Sequence, residues 1–352
     1  MEVLVISKNT IKPSNPTPSN LRHFQLSFLD QINHPRILPL IFYYPLGFED
    51  NSRATNLKRS NQLKKSLADV LTKFYPLAGR VKKNLYIECN DEGVLYLEAQ
   101  VNCQLSQIIG QQPINPHVEL NKLLPFDRLN DAGDVLLAIQ VTVFKCGGMA
   151  IGMCFSHKIA DGLSTSTFAN SWASAARAGH SNMVCPRLDS ATYFPPRDMS
   201  CYNIKTGMTE EKMVSKRFLF NASAISTLKD KYANEIQPTR VEALSAFVWS
   251  RFVVATSDQV ETQAEADVEA ETSITKLYML IHGLDLRMRM NPPLPESYFG
   301  NFSWETYCIA HTVPSIDPQA PELPWPPPLA PLAEQHMDRD DLGLLALSHA
   351  YL

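Results

Sequence analysis

"DVLLAIQVTVFKCGGMAIGMCFSHKIADG", residues 134–162, holds two β-rich apolar runs joined through Gly147 and Gly148, then a histidine and an aspartate four positions apart, then a glycine. Two such runs around a glycine pair predict a hairpin. His157 therefore falls where a strand leaves its sheet, and "DGLSTSTFANSWASAARAG" predicts a helix that begins after Asp161 and ends at Gly179.

The pair reads in two ways. As structure, a histidine at a strand end is a hydrogen-bonded core or surface residue, and Asp161 is a good helix N-cap. As chemistry, a neutral imidazole is the side chain best suited to take a proton near pH 7. No G-x-S-x-G elbow supplies a serine nucleophile, and no cysteine lies beside an activating motif. On the chemical reading the nucleophile is then the substrate's own hydroxyl. Zinc chemistry has no support either, since H-E-x-x-H is absent and no metal ligands are assigned.

Upstream of the hairpin, "LRHFQLSFLDQ" and "ILPLIFYYP" alternate or run apolar as strands do. "LKRSNQLKKSLADVLTKFYPLAGR" sets Leu63, Leu67, Val70, Leu71 and Phe74 on one helical face, with Pro76 stopping the helix. "NLYIEC" and "GVLYLEAQV" predict another hairpin around Asn90–Gly93. Downstream, "MVSKRFLFN" and "KLYMLIHGLDL" predict strands. "PTRVEALSAFVWSRFVVA" predicts a helix with a Val241, Leu244, Val248 and Phe252 stripe, opened by a Thr239–Glu242 capping box. Residues 256–274 are acidic without aromatics and predict a solvated loop; from Thr312 the prolines exclude regular structure.

At 352 residues, a prior of roughly 150 residues per domain suggests two domains. The boundaries expected are 1–180, a crossover at 181–210, a second domain at 211–311 and a Pro-rich tail at 312–352. A net charge of -4, with 19% charged residues, offers no basic surface for nucleic acid. The opening residues lack a basic segment followed by a long apolar one, and no stretch reaches about 18 uninterrupted apolar residues. Neither secretion nor a membrane is expected, and the location is expected to be cytoplasmic. The seven cysteines are scattered with no C-x-x-C pair, so reduced thiols are expected.

"LSFLDQ", "FYPLAGR", "SHKIADG", "PTRVEALSAFVW" and "LDLRMRMNPPLPESYFGN" occur in this order. Together they resemble the plant BAHD family of acyl-CoA-dependent acyltransferases, and their wording is closest to the family's alkaloid acetyltransferases. The resemblance covers residues 1 to about 305 and implies an α/β fold of two chloramphenicol-acetyltransferase-like domains with mixed sheets. The family's D-F-G-W-G motif does not occur in this sequence, which implies that the second domain is incomplete.

By the same resemblance, His157 deprotonates an acceptor hydroxyl that attacks acyl-CoA, with no acyl-enzyme, and Asp161 pairs with Arg287 to hold the loop. Thr239 is the candidate contact for CoA at a helix N-terminus, where free N–H groups favour phosphate; capping alone is the other reading. Gly300 and Asn301 are candidate pantetheine neighbours, or simply a turn at a strand start. The co-substrate implied is acetyl-CoA and the partner a small-molecule alcohol, acted on by a monomer with no permanently bound cofactor. Two alternatives stay open: a truncated, non-catalytic relative that at most binds CoA or a partner, and a hydrolase that uses water.

Overall fold

The computed structural model describes residues 1–33, 36–45, 53–109, 120–126, 134–178, 183–199, 218, 220–233, 237–264 and 277–311. Contacts divide the chain into two units: Met1–Lys216 with Asp285–Ser303, and Arg217–Leu284 with the stretch from Trp304.

The first unit is built on a five-stranded mixed sheet, ordered β1-β6-β7-β8-β3. Its strands are β1 (Val3–Ile11), β3 (Ile37–Tyr44), β6 (Val94–Val101), β7 (Leu137–Phe144) and β8 (Met149–Ser156). Only β6 and β7 run parallel; β1, β3 and β8 pair antiparallel with their neighbours. The hairpin is as the sequence predicts: Phe144 N–H donates to Gly148 O at 2.9 Å, and Gly147 takes φ +81°, which its missing Cβ permits. Both hairpin strands are buried on both faces, which is why they read as apolar runs without alternation.

Two helices cover one face: α2 (Arg53–Lys73) and α3 (Gly162–Ala178). Leu67, Val70 and Leu71 of α2, with Phe74 just past its end, meet Phe168 and Trp172 of α3 over Ile139, Met153 and Phe155 of the sheet. Burying a large apolar side chain of this kind contributes about 1.5–3 kcal/mol. The Trp172 Nε1–H donates to Leu63 O and Ser66 Oγ, both at 3.1 Å, so the indole is buried without an orphan donor. As predicted, the chain leaves the α helix at Lys73, and Pro76 lies in the 3-10 turn Tyr75–Ala78 that follows.

Three expectations are corrected. Residues 21–31 are not one strand: β2 covers only His23–Gln25, and α1 (Phe28–Ile32) follows. Ser27 and Asp30 form a reciprocal capping box there, and this local hydrogen bonding outweighs the apolar alternation. "NLYIEC" and "GVLYLEAQV" do not pair with each other. β5 (Tyr86–Glu88) sits between β2 and β4 (Arg80–Lys82), while β6 joins β1 and β7, so long-range partners win over the adjacent one.

In the second unit, α4 (Ala222–Lys231) packs on α5 (Arg240–Ala264), and β9 (Leu277–Asp285) pairs with β10 (Ser303–His311). The third correction falls here: α5 runs on through residues 256–264, because a stretch without Gly or Pro extends an existing helix cooperatively. Apart from Phe218, Phe220 and Asn221, the strand expected at 213–221 lies outside the described residues, as do the rest of the acidic segment and the tail from 312.

Candidate active site

Pairing of β8 with β3 carries one residue beyond the strand, where His157 N–H donates to Arg36 O at 2.7 Å. That bond fixes the backbone of the first residue off the sheet. The ring is partly buried, and its Nδ1 lies 3.0 Å from Asn301 Oδ1. The other end of the Asn301 amide settles who donates: Nδ2 reaches His157 O and Asp30 Oδ1, each at 2.8 Å. An amide nitrogen between two acceptors leaves its oxygen as the acceptor toward the ring. Nδ1 therefore carries the hydrogen, and Nε2 keeps its lone pair. Burial pulls the His157 pKa below 6.5, so the ring is neutral at pH 7.

Asp161 is occupied elsewhere. Its Oδ1 accepts from Ser164 N at 2.8 Å, capping α3, and its Oδ2 accepts from Phe302 N at 2.9 Å. Arg287, 1% exposed, completes the shell with NH1 on Oδ2 at 2.9 Å and NH2 on Oδ1 at 3.2 Å. The guanidinium also donates to Tyr298 O and Asp285 Oδ1 and lies 4.8 Å from the Phe302 ring centroid. A planar five-donor fork suits this task where a lysine would not.

Gly300 and Asn301 belong to the same assembly. Gly300 adopts φ +141°, and a Cβ there would meet Ser190 Oγ at 3.2 Å. Its N–H and carbonyl are taken up by Ser164 Oγ, at 3.0 and 2.9 Å. Phe299 anchors the segment in the main core, edge-on to Phe74 at 5.3 Å. The structure thus brings His157 to Asn301, and Asp161 to Arg287, with Gly300 bridged to both by Ser164. Thr239 belongs to the second unit. There its Oγ1 accepts from Glu242 N at 3.3 Å while Glu242 Oε2 accepts from Thr239 N at 2.6 Å.

Sequence reasoning passed over Asp30 and Lys158. Asp30 is fully buried and takes Ser27 N and Oγ on Oδ2, and Asn301 N and Nδ2 on Oδ1. The signal was the S-x-x-D spacing inside "LSFLDQ", a capping box in plain view. Lys158 Nζ donates to Gln31 O and Asn84 Oδ1, each at 2.8 Å, and burial lowers its pKa to about 8. No signal marks it, because a lysine in sequence reads as exposed. Among the described residues, no group of three or more His, Cys, Asp or Glu is placed to hold a metal, and no helix is long and apolar enough to cross a membrane.

A model of the transferase family matches residues 1–314. Akuammiline synthase 2 of Alstonia scholaris is 37% identical over 326 residues, which is 90% of this chain and 69% of that protein. Stemmadenine O-acetyltransferase of Catharanthus roseus is 37% identical over 320 residues, 88% and 71% of the two chains. The crystal structure of vinorine synthase superposes with a TM-score of 0.75 at 34% identity, covering 90% of this chain and 73% of that one. On the span of the matched model and these identities, the chain belongs to the transferase family, as an acyltransferase of the BAHD type.

Proposed function

We propose that the protein transfers an acetyl group from acetyl-CoA to a hydroxyl of an alkaloid or related plant metabolite, with His157 as general base. The observation that carries this reading is the Nδ1–Asn301 contact, which leaves Nε2 as the basic nitrogen of a neutral ring. Nε2 takes the hydroxyl proton as the oxygen attacks the thioester carbonyl. Collapse of the tetrahedral adduct breaks the C–S bond, and the imidazolium returns the proton to the departing thiolate. The acyl group passes directly, without an acyl-enzyme. Ser164, the hydroxyl nearest the pair along α3, is 1% exposed and held by Gly300 and Arg287, which supports that route.

Arg287 and Asp161 hold the loop's shape. The N-terminus of α5 at Thr239 takes CoA phosphate on this reading, through the positive end of the helix dipole. Gly300 and Asn301 have their polar groups committed within the protein, so pantetheine passes beside them while they hold the site. The acceptor class follows the names of the relatives, stemmadenine O-acetyltransferase among them. We further read the enzyme as a cytoplasmic monomer; the free thiols of Cys89, Cys103, Cys146, Cys154 and Cys185 suit a reducing compartment.

The test is mass spectrometry of products formed from acetyl-CoA and a panel of alkaloid alcohols, stemmadenine included, with the wild-type chain and His157→Ala. Acetylated product that disappears with His157→Ala is the expected result. Transfer retained in that variant overturns the assignment of the base.

A further inference from the structure

We propose that Asp30 is a positioning residue for His157 and acts through the Asn301 amide as a relay. Asp30 Oδ1 holds Asn301 Nδ2 at 2.8 Å, and Asn301 Oδ1 stands 3.0 Å from His157 Nδ1. The inference rests on the reading of His157 as the base. It assigns the orienting carboxylate to a residue 127 positions upstream, not to the aspartate of the H-x-x-x-D motif.

Two observations carry it. Asp161 has all its near donors elsewhere, in Ser164, Phe302 and Arg287, and none of them is the imidazole. Asp30, by contrast, is aimed at the Asn301 amide, and the same amide touches both the ring and the backbone of His157. Four donor contacts converge on the Asp30 carboxylate, three from N–H groups and one from the Ser27 hydroxyl. Burial outweighs this shell and raises the carboxyl above its usual range, yet Oδ1 accepts from both Asn301 N and Nδ2 and so faces the amide as an acceptor in either protonation state.

The relay has a direction. Were the amide to flip, its NH2 would face the ring and its oxygen would face the Asp30 carboxylate, an acceptor against an acceptor. Asp30 thereby selects one amide orientation, and that orientation selects the Nδ1–H tautomer. When the base gains its proton, the imidazolium hydrogen-bonds to an amide whose far end is already held by the Asp30 acceptor oxygen. The charged groups bearing on the ring are Asp161, which favours the protonated form, and Arg36, which disfavours it; Lys158 bears on Asp30 from the next residue along.

Histidine-selective ¹⁵N labelling of the full chain tests this without any acceptor substrate. The nine histidines are resolved by subtracting the His157→Ala spectrum. In the wild type, His157 is expected to be neutral at pH 7 with the hydrogen on Nδ1. An Nε2–H signal there overturns the proposal outright, whether or not Asp30→Asn folds. In Asp30→Asn, a mixture of tautomers is expected, because an amide at that position can turn either its oxygen or its nitrogen toward Asn301.

Because Asp30 also caps α1, Ser27→Ala serves as the control: it weakens the same cap but leaves the Asn301 contact in place. A purely structural role makes the two variants alike at His157, which overturns the relay. A tautomer kept in Ser27→Ala and lost in Asp30→Asn supports it. Failure of the underlying reading has a separate signature, acetyl transfer retained by His157→Ala, which leaves these spectra unaltered.

Discussion

Arg287 grips Asp161 with two parallel N–H···O contacts, NH1 to Oδ2 at 2.9 Å and NH2 to Oδ1 at 3.2 Å, in a setting where neither side chain reaches solvent to more than 6%. Removing one partner of such a pair leaves an uncompensated buried charge, which costs about 3–5 kcal/mol. Arg287→Ala is therefore expected to lower the unfolding free energy by that amount in urea titrations. Arg287→Lys should recover little of it, because an ammonium cannot reproduce the fork. Full recovery by lysine would show that charge alone, not bidentate geometry, holds the loop.

A base whose ring is buried titrates low. The folded-state pKa of His157 lies below its ordinary 6.5, so the acid limb of kcat/KM is expected to have its midpoint below 6.5 and a plateau above it. The same shift fixes the sign for stability. Below 6.5 the unfolded chain binds more protons at this position than the folded one, so the contribution is complete above 6.5 and declines as the pH falls past that value. A midpoint above 6.5 in the rate profile would contradict the burial described. Loss of the imidazole in His157→Ala should slow transfer by about 10²–10⁴-fold.

Thr239→Ala separates capping from ligand binding. Loss of an N-cap hydroxyl costs about 1 kcal/mol, and thermal unfolding should show it. If the N-terminus of α5 also meets CoA, the KM for acetyl-CoA should rise while kcat stays near its wild-type value. An unchanged KM would leave Thr239 as a cap and nothing more.

Gly152 lies in the middle of β8, where an added Cβ would stand 2.1 Å from Leu123 O and 3.1 Å from Leu123 C. Those are backbone atoms and cannot swing aside. Gly152→Ala is expected to destabilise the first unit by at least about 1–3 kcal/mol, read from the shift in denaturation midpoint. A neutral result would mean that the segment around Leu123 is free to move off the sheet.

Local signals in the sequence were enough for β7, β8, α2 and α3, since each carries its own periodicity and its own stop: Gly147 and Gly148 for the hairpin, Pro76 beyond α2. They failed wherever the partner was remote. β5 and β6 are adjacent in sequence and apolar, yet their partners are β2, β4, β1 and β7. The site divides the same way. His157 and Asp161 were visible as a spaced pair. Asp30 was not, because its importance comes from Asn301, 271 positions away. A capping box announces a helix start, and nothing in it says that the same carboxylate will hold a second side chain from far along the chain.

That separation has a consequence for the order in which the protein is made. Every strand of the sheet and both covering helices lie at or before Ala178, so all of them have been synthesised before the second half is added. At that stage Asp161 lacks its guanidinium, and the His157 ring lacks the oxygen that sets its tautomer. Both are supplied by residues 287–302, which return to pack against elements made much earlier, Phe299 entering the same core as Phe74. On the proposed reading, therefore, the residues that set up the base are the last of the site to be synthesised, and competence for acyl transfer waits on a short returning segment of the polypeptide.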